Sequence, residues 1–186
     1  MTDKLISEIK NIADFTSADM DLFLNSFSET FIDKGDHFLM QGKISKHVGY
    51  VKSGLMMYYK IIDGIEVPAD FAKENEWVAY LKSFSAGIVS DMSIKAIEDT
   101  QLLTLSSSAM SELFNKQPKF MALRNYYIEL SFIRNTEHTS ALATLNAKQR
   151  YYKFMQDHPD MIKRVPQYYI AAYLGIKPQS LSRIRK

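Results

Sequence analysis

Cysteine is absent from the 186 residues. Disulfide scaffolds, cysteine-ligated zinc and iron–sulfur clusters are therefore excluded. Long apolar runs are absent too: the longest are short and broken by charge, so no segment reads as a membrane span. The opening MTDKLISEIK carries charge throughout and has no apolar stretch, unlike a signal peptide. A cytoplasmic location is the expectation. No internal repeat and no low-complexity segment occurs. What is present is an apolar fraction of 46%, ordinary for a globular protein and incompatible with general disorder.

Catalytic groupings are missing as well. There is no Ser/His/Asp set, phosphate-binding P-loop or glycine-rich dinucleotide motif, so no enzyme is expected and no catalytic residue is assigned. The four histidines, His37, His47, His138 and His158, lack the close spacing of a cupin-type metal site. No metal is assigned. A haem regulator would need an axial histidine, for which His37 or His47 would serve. Exposed or turn-associated histidines are the commoner case, and no cofactor is expected.

The net charge of +2 hides an asymmetry. Lys163, Arg164, Lys177, Arg183, Arg185 and Lys186 are six basic residues in a stretch with no acidic one. The rest of the chain holds the other 17 of 23 basic residues against all 21 acidic ones, a net of −4. A basic end on a mildly acidic body suits contact with a polyanion; a solvated basic tail would look the same.

Three textures follow one another along the chain. Residues 3–26 read as helices, with Leu5, Ile6 and Ile9, then Met20, Phe23, Leu24 and Phe27, at helical spacing. Thr16 and Asp19 suit the start of the second. From Glu29 to Leu105, short runs such as ETFI, HFLM, HVGYV, LMMYYKII and LLTL alternate with turn signals, of which Asp63-Gly64 is the sharpest. Many short strands with regular turns argue for an antiparallel roll or sandwich. From Gln117 to Met155 the pattern is helical again, with Pro118 near its start, an Asn146/Gln149 cap within it, and His158-Pro159 ending its second helix. The cluster Glu74 to Trp77 either lines a pocket or forms a loop over the roll.

The segment VPQYYIAAYLGIKPQSLSRIRK closes the sequence. Pro166 suits the beginning of a helix. Ile170 and Leu174 share a face, and Gly175 supplies the left-handed residue of a sharp turn. Ile176 plugs the angle, and Pro178 opens a second helix whose Leu181 and Ile184 face inward. Ala171 is small enough for a close helix crossing. This is the pattern of a helix-turn-helix. On a wheel of about 100° per residue, Gln179, Arg183 and Lys186 share a narrow arc, Ser180 borders it, and Leu181 and Ile184 lie opposite. Glutamine pairs bidentately with adenine, and arginine with guanine, in the major groove. An ordinary amphipathic helical hairpin is the alternative.

With this motif in place, the chain resembles the cyclic-AMP receptor protein/fumarate–nitrate regulator (Crp/Fnr) family over nearly its full length. The resemblance is strongest over residues 165–186 and visible in KGDHFLMQGK, VGYVKSGLMMYY and IKAIEDTQLLTL. It implies an α+β fold: an N-terminal antiparallel β-roll of the cyclic-nucleotide-binding, jelly-roll type with helices (1–117), a long dimerisation helix (118–145) and a C-terminal helix-turn-helix (146–186). It further implies a homodimer that binds palindromic DNA, answers to a small effector and contacts RNA polymerase. Gln179, Ser180 and Arg183 are then the expected base contacts; Gln167, Lys177, Arg185 and Lys186 are the expected phosphate contacts.

Two departures matter. Nucleotide-binding members carry a phosphate cassette beginning Gly-Glu and ending Arg-Ser/Thr-Ala. It aligns with AYLKSFSAGIVSDM, where Phe84 and Gly87 match. The first pair becomes Ala79-Tyr80 and the last three become Ser90-Asp91-Met92, so the phosphate's cation is missing and a carboxylate stands there. A buried phosphate beside Asp91 without a paired cation is strongly unfavourable, so an effector other than cyclic AMP is expected. Tyr80, Ser90 and Asp91, with Asn135 and Thr136 of the long helix, are the expected pocket. Second, most members continue into a small β-wing, whereas this sequence stops at Lys186, so wing contacts are expected to be missing.

In the long helix, Met121, Asn125, Ile128, Phe132, Asn135, Thr139 and Leu142 alternate at spacings of four and three, a heptad seam. Leu123, Tyr127 and Leu130 form a second stripe. Two adjacent stripes imply two partners, the roll and a second copy. The dimer seam is therefore assigned to Met121, Ile128, Phe132, Asn135 and Leu142. The favoured function is a DNA-binding transcription regulator. The alternative is a ligand-binding β-roll module acting through protein contacts, not DNA.

Overall fold

The computed structural model describes residues 2–185. Two amphipathic helices come first, α1 (Thr2–Ile12) and α2 (Ser17–Leu24). Thr16 caps α2 as the sequence suggests: its side chain accepts the Asp19 amide at 3.2 Å, and the Asp19 carboxylate accepts the Thr16 amide at 2.9 Å.

Eight short strands follow: β1 (Ser28–Ile32), β2 (His37–Leu39), β3 (His47–Ser53), β4 (Met56–Ile62), β5 (Ile65–Ala72), β6 (Trp77–Val78), β7 (Ser93–Ala96) and β8 (Thr100–Ser106). They form two four-stranded sheets, ordered β1-β8-β3-β6 and β2-β7-β4-β5. Strand β8 pairs antiparallel with both β1 and β3, placing Thr30 beside Leu102 and Val48 beside Leu105. Asp63 and Gly64 both have positive φ (51° and 77°), so they make the tight turn between β4 and β5 that their sequence advertises. Strand β5 holds Pro68 and lies at a sheet edge, where a residue without an amide hydrogen is tolerated.

Helix α3 (Leu81–Ala86) interrupts the strands, and α4 (Ser107–Lys116) follows β8. The last helical pattern thus begins ten residues earlier than Gln117. The Ser106 hydroxyl accepts the Ala109 amide at 3.1 Å and caps α4. Pro118 lies in a turn two residues ahead of α5 (Phe120–Thr144). Then come α6 (Ala147–Asp157), α7 (Met161–Arg164), α8 (Gln167–Tyr173) and α9 (Pro178–Ile184). No helix among the described residues is long and apolar enough to cross a membrane.

The chain forms two compact units. The first joins the residues up to Tyr58 with Phe71–Glu129. Its core packs Leu5 and Ile9 of α1, Met20 and Phe23 of α2, Val48 and Tyr50 of β3, Leu103 and Leu105 of β8, and Leu113, Phe120 and Leu123. Phe120 anchors it by stacking on Phe15 and Phe23, with centroids 4.8 and 5.3 Å away. The second unit joins Tyr59–Asp70 with the chain from Leu130 onward. Its buried residues include Tyr151, Phe154, Met161, Val165, Ile170, Ala171, Leu174 and Leu181.

Candidate nucleic-acid interface

Helices α8 and α9 are joined by a turn that the sequence specifies residue by residue. Pro166 is the N-cap of α8, its carbonyl accepting the Tyr169 and Ile170 amides. At the other end Gly175 sits at φ +63°. The Gly175 amide donates to Ala172 O at 3.0 Å and the Ile176 amide to Ala171 O at 2.9 Å. These two bonds are the Schellman closure of a helix end. Pro178 then occupies the first turn of α9. Ala171 and Leu181 are buried, and Ile176 and Ile184 are half-buried.

The outer surface of α9 carries the polar residues. Gln179 and Arg183 are exposed and Ser180 is half-buried. Gln167, Lys177 and Arg185 are exposed as well, while Lys186 lies outside the described residues. An amide and a guanidinium one turn apart, with cations beyond each end of the helix, form a surface of donors fit for base edges and phosphates.

Arg150 holds this pair of helices in place and does so unannounced by the sequence pattern. Its Nε donates to Leu174 O at 2.7 Å, Nη1 to Leu145 O at 2.5 Å and Nη2 to Gly175 O at 3.4 Å. One guanidinium thus satisfies carbonyls at the ends of α5 and α8 and in the turn. Two further ties join the β4–β5 hairpin to helices of the same unit. Tyr169 donates its phenolic hydrogen to Glu66, and burial with that carboxylate pushes the phenol's pKa up. Arg134 donates to Asp70 at 2.8 Å. Glu66 and Asp70 are four apart on a strand and therefore share a face, the only hint of them in the sequence.

Along α5 the seam stands open. Met121, Phe132 and Leu142 are 48%, 70% and 40% exposed, Asn135 is exposed and Ile128 half-buried. The second stripe divides: Leu123 is buried and Tyr127 packs on the core of the first unit, but Leu130 is 44% exposed. The expectation that Leu130 covers the roll is corrected, because the core that takes up this stripe ends at Tyr127.

In the cassette-like segment, Tyr80 precedes α3 and donates its phenolic hydrogen to Asp91. Burial first, and then Asp91, push that phenol's pKa up to about 12. Asp91 also faces a cation: Lys82 Nζ lies 3.7 Å from its Oδ2. Lysine on the first turn of α3 reaches a carboxylate nine residues away because Gly87, at φ +65°, ends the helix and turns the chain back. Ser90 is buried, and its hydroxyl donates to Met92 O at 2.6 Å and accepts the Met92 amide at 3.0 Å. Asn135 and Thr136 belong to the second unit. Both are exposed and bond back to their own helix, to Ser131 O at 2.8 Å and Phe132 O at 2.9 Å. The segment Glu74 to Trp77 is a turn that runs into β6 and is bound to the roll: Glu74 accepts the Gly54 amide at 2.9 Å, and Asn75 accepts the Tyr50 hydroxyl at 3.3 Å.

Residues 29–117 match the cyclic nucleotide-binding domain family. The c-di-GMP responsive global regulator CLP of Xanthomonas campestris is 16% identical, over 91% of this chain and 89% of that one, with a TM-score of 0.71. A structure from Eubacterium rectale, described as a transcriptional regulator of the crp/fnr family, is 17% identical over 92% of this chain and 82% of that one, with a TM-score of 0.70. The fold is that of the Crp/Fnr regulators. FixK2 of Bradyrhizobium japonicum shares it too, at 18% identity, 86% and 82% coverage and a TM-score of 0.70. No curated protein sequence matches the chain. The Crp/Fnr fold has the same order of β-roll, long helix and short helices.

Proposed function

We propose that this chain is a homodimeric, DNA-binding transcription regulator of the Crp/Fnr type, governed by an effector other than cyclic AMP. The observation that carries the proposal is the surface of α9. It presents exposed Gln179 and Arg183 behind a Schellman turn, in a stretch with basic but no acidic residues. The open seam on α5 supports pairing through Met121, Ile128, Phe132, Asn135 and Leu142. A parallel pair would set two α9 helices about one DNA turn, roughly 34 Å, apart and so read a palindrome.

Gln179, Ser180 and Arg183 are assigned to base edges. Gln167, Lys177, Arg185 and Lys186 are assigned to phosphates. The effector is expected near Tyr80, Ser90 and Asp91. A carboxylate already engaged by Tyr80 and Lys82 favours an effector whose charge does not face Asp91. Selection of bound DNA from a random pool at fixed salt tests the function. A palindromic consensus supports it. Absence of any enriched sequence would leave the β-roll acting through protein contacts.

A further inference from the structure

Between β2 and β3 the chain turns back on itself and leaves a cleft of about 290 Å³, lined by residues 37–40 and 43–47. It belongs to the first unit, and its lining shares no residue with α9 or with the Tyr80–Asp91 pair. Its walls are of two kinds. Phe38, Leu39, Met40 and Ile44 are apolar, and Met40 and Ile44 are 52% and 43% exposed. His37, Lys43, Lys46 and His47 supply four basic side chains, all exposed, and no carboxylate lines the cleft. Neither Lys43 nor Lys46 forms an ion pair among the described residues. Elsewhere on this protein exposed lysines do find carboxylates, as Lys82 does with Asp91 and Lys116 with Glu112.

The loop is held in shape. The Gly42 amide donates to Ser90 O at 2.7 Å, and the Ser90 amide donates to Lys43 O at 2.8 Å. The Gln41 amide donates to Ser93 Oγ and the Ser45 amide to Ser83 Oγ, both at 2.9 Å. Ile44 and Val89 form a bridge. The serines Ser45, Ser83, Ser90 and Ser93 are buried, so each serine tie has one end withdrawn from water, and together the ties fix the cleft before anything enters it. A preformed apolar recess with a few convergent cations is the usual build of a small-molecule site, and fixing it beforehand removes part of the ordering cost of binding.

We propose that this cleft binds a small amphipathic organic anion, a carboxylate with a short apolar body. The body lies against Met40 and Ile44, and the carboxylate meets Lys43 and Lys46. The size of the recess favours a small molecule over a protein segment, and unpaired lysines beside exposed apolar carbons favour an anion with an apolar part over phosphate or a neutral compound. The proposal stands whether or not the chain binds DNA.

The test uses the full chain labelled with ¹⁵N and titrated with phenylacetate, phenylacetamide and inorganic phosphate, followed by amide chemical shifts. Saturable shifts are expected with phenylacetate at Gly42, Lys43, Ile44 and Lys46, and at Ser90, which is bonded to the loop. Phenylacetamide and phosphate should bind at least severalfold more weakly. Lys43→Gln and Lys46→Gln should each weaken phenylacetate roughly fivefold, and Met40→Gln should weaken it while leaving phosphate unchanged. All three positions are exposed, so the variants should fold, and the remaining shifts will show it. Lys148→Gln, an exposed lysine outside the cleft, should change nothing. No saturable shift in this loop, equal binding of phenylacetamide, or insensitivity to both lysine changes would overturn the proposal. So would binding of an acidic peptide here with no binding of phenylacetate.

Discussion

The Arg134 guanidinium donates to the Asp70 carboxylate at 2.8 Å, joining helix α5 to strand β5 within one unit. Both side chains are largely withdrawn from water, 34% and 20% exposed, so losing one leaves the other poorly solvated. Asp70→Ala should destabilise the fold by about 1–3 kcal/mol, read as a lowered urea midpoint. Asp70→Asn, which keeps an acceptor, should cost less. Equal midpoints for Asp70→Ala and the native chain would show that the pair contributes nothing.

Phe132 is the most exposed of the large apolar residues on α5. If the seam pairs two copies, Phe132→Asp places two carboxylates opposite each other in it and should weaken the dimer by about 3 kcal/mol or more. Sedimentation should then show a dimer for the native chain at tens of micromolar and a monomer for the variant. A native monomer at that concentration removes the dimer from the proposed function.

Arg183→Ala should cost on the order of 1–3 kcal/mol on the selected palindrome and relax preference at one base pair per half-site. Gln179→Ala should act similarly at a neighbouring position. Lys177→Ala should instead weaken all sequences alike and reduce the salt slope by about 1. Competition against scrambled DNA at several salt concentrations separates these outcomes. Native-like affinity for Arg183→Ala would put a different residue in the groove.

Cyclic AMP and cyclic GMP should give no heat of binding at micromolar ligand in calorimetric titration. The cassette-like segment offers Asp91, held by Tyr80 and Lys82, where a phosphate would need a free cation. Submicromolar binding of either nucleotide would sink this reading.

His138 stacks on Tyr173, centroids 4.1 Å apart and planes 12° apart. Burial, and then the charge of His158, lower its pKa below the ordinary value. The unfolded chain therefore takes up this proton more readily than the folded one. Stability is complete above the ordinary histidine value of about 6.5 and falls as pH drops below it toward the lowered folded value. Urea midpoints measured from pH 8 downward should decline in that window. His138→Phe, which keeps a stacked ring, should flatten the decline; an unchanged pH profile for that variant would assign it to other groups.

Much of this was legible beforehand where local chemistry decides geometry. Asp63-Gly64, Gly175 and the Thr16 and Asn146 caps each demand one backbone conformation, and each adopts it. Helices α3 and α4 were not legible. Helix α3 hides in a segment matched to a nucleotide cassette, and α4 begins in a serine run whose cap shows only once Ser106 ends a strand. Contacts between distant residues were least legible. Tyr169 meets Glu66 across 103 positions, and Arg150 reaches carbonyls on two other elements. No periodicity reports such partners, because tertiary packing chooses them.

Pro68 gives the open border of the second sheet a further property. A strand arriving from another copy along β5 would meet one donor too few, since proline has no amide hydrogen to offer. Edge-on stacking, the route by which exposed sheets polymerise into aggregates, is thereby discouraged at this border. At this border, self-association is left to side chains rather than backbone, which disfavours an open-ended fibre growing from β5.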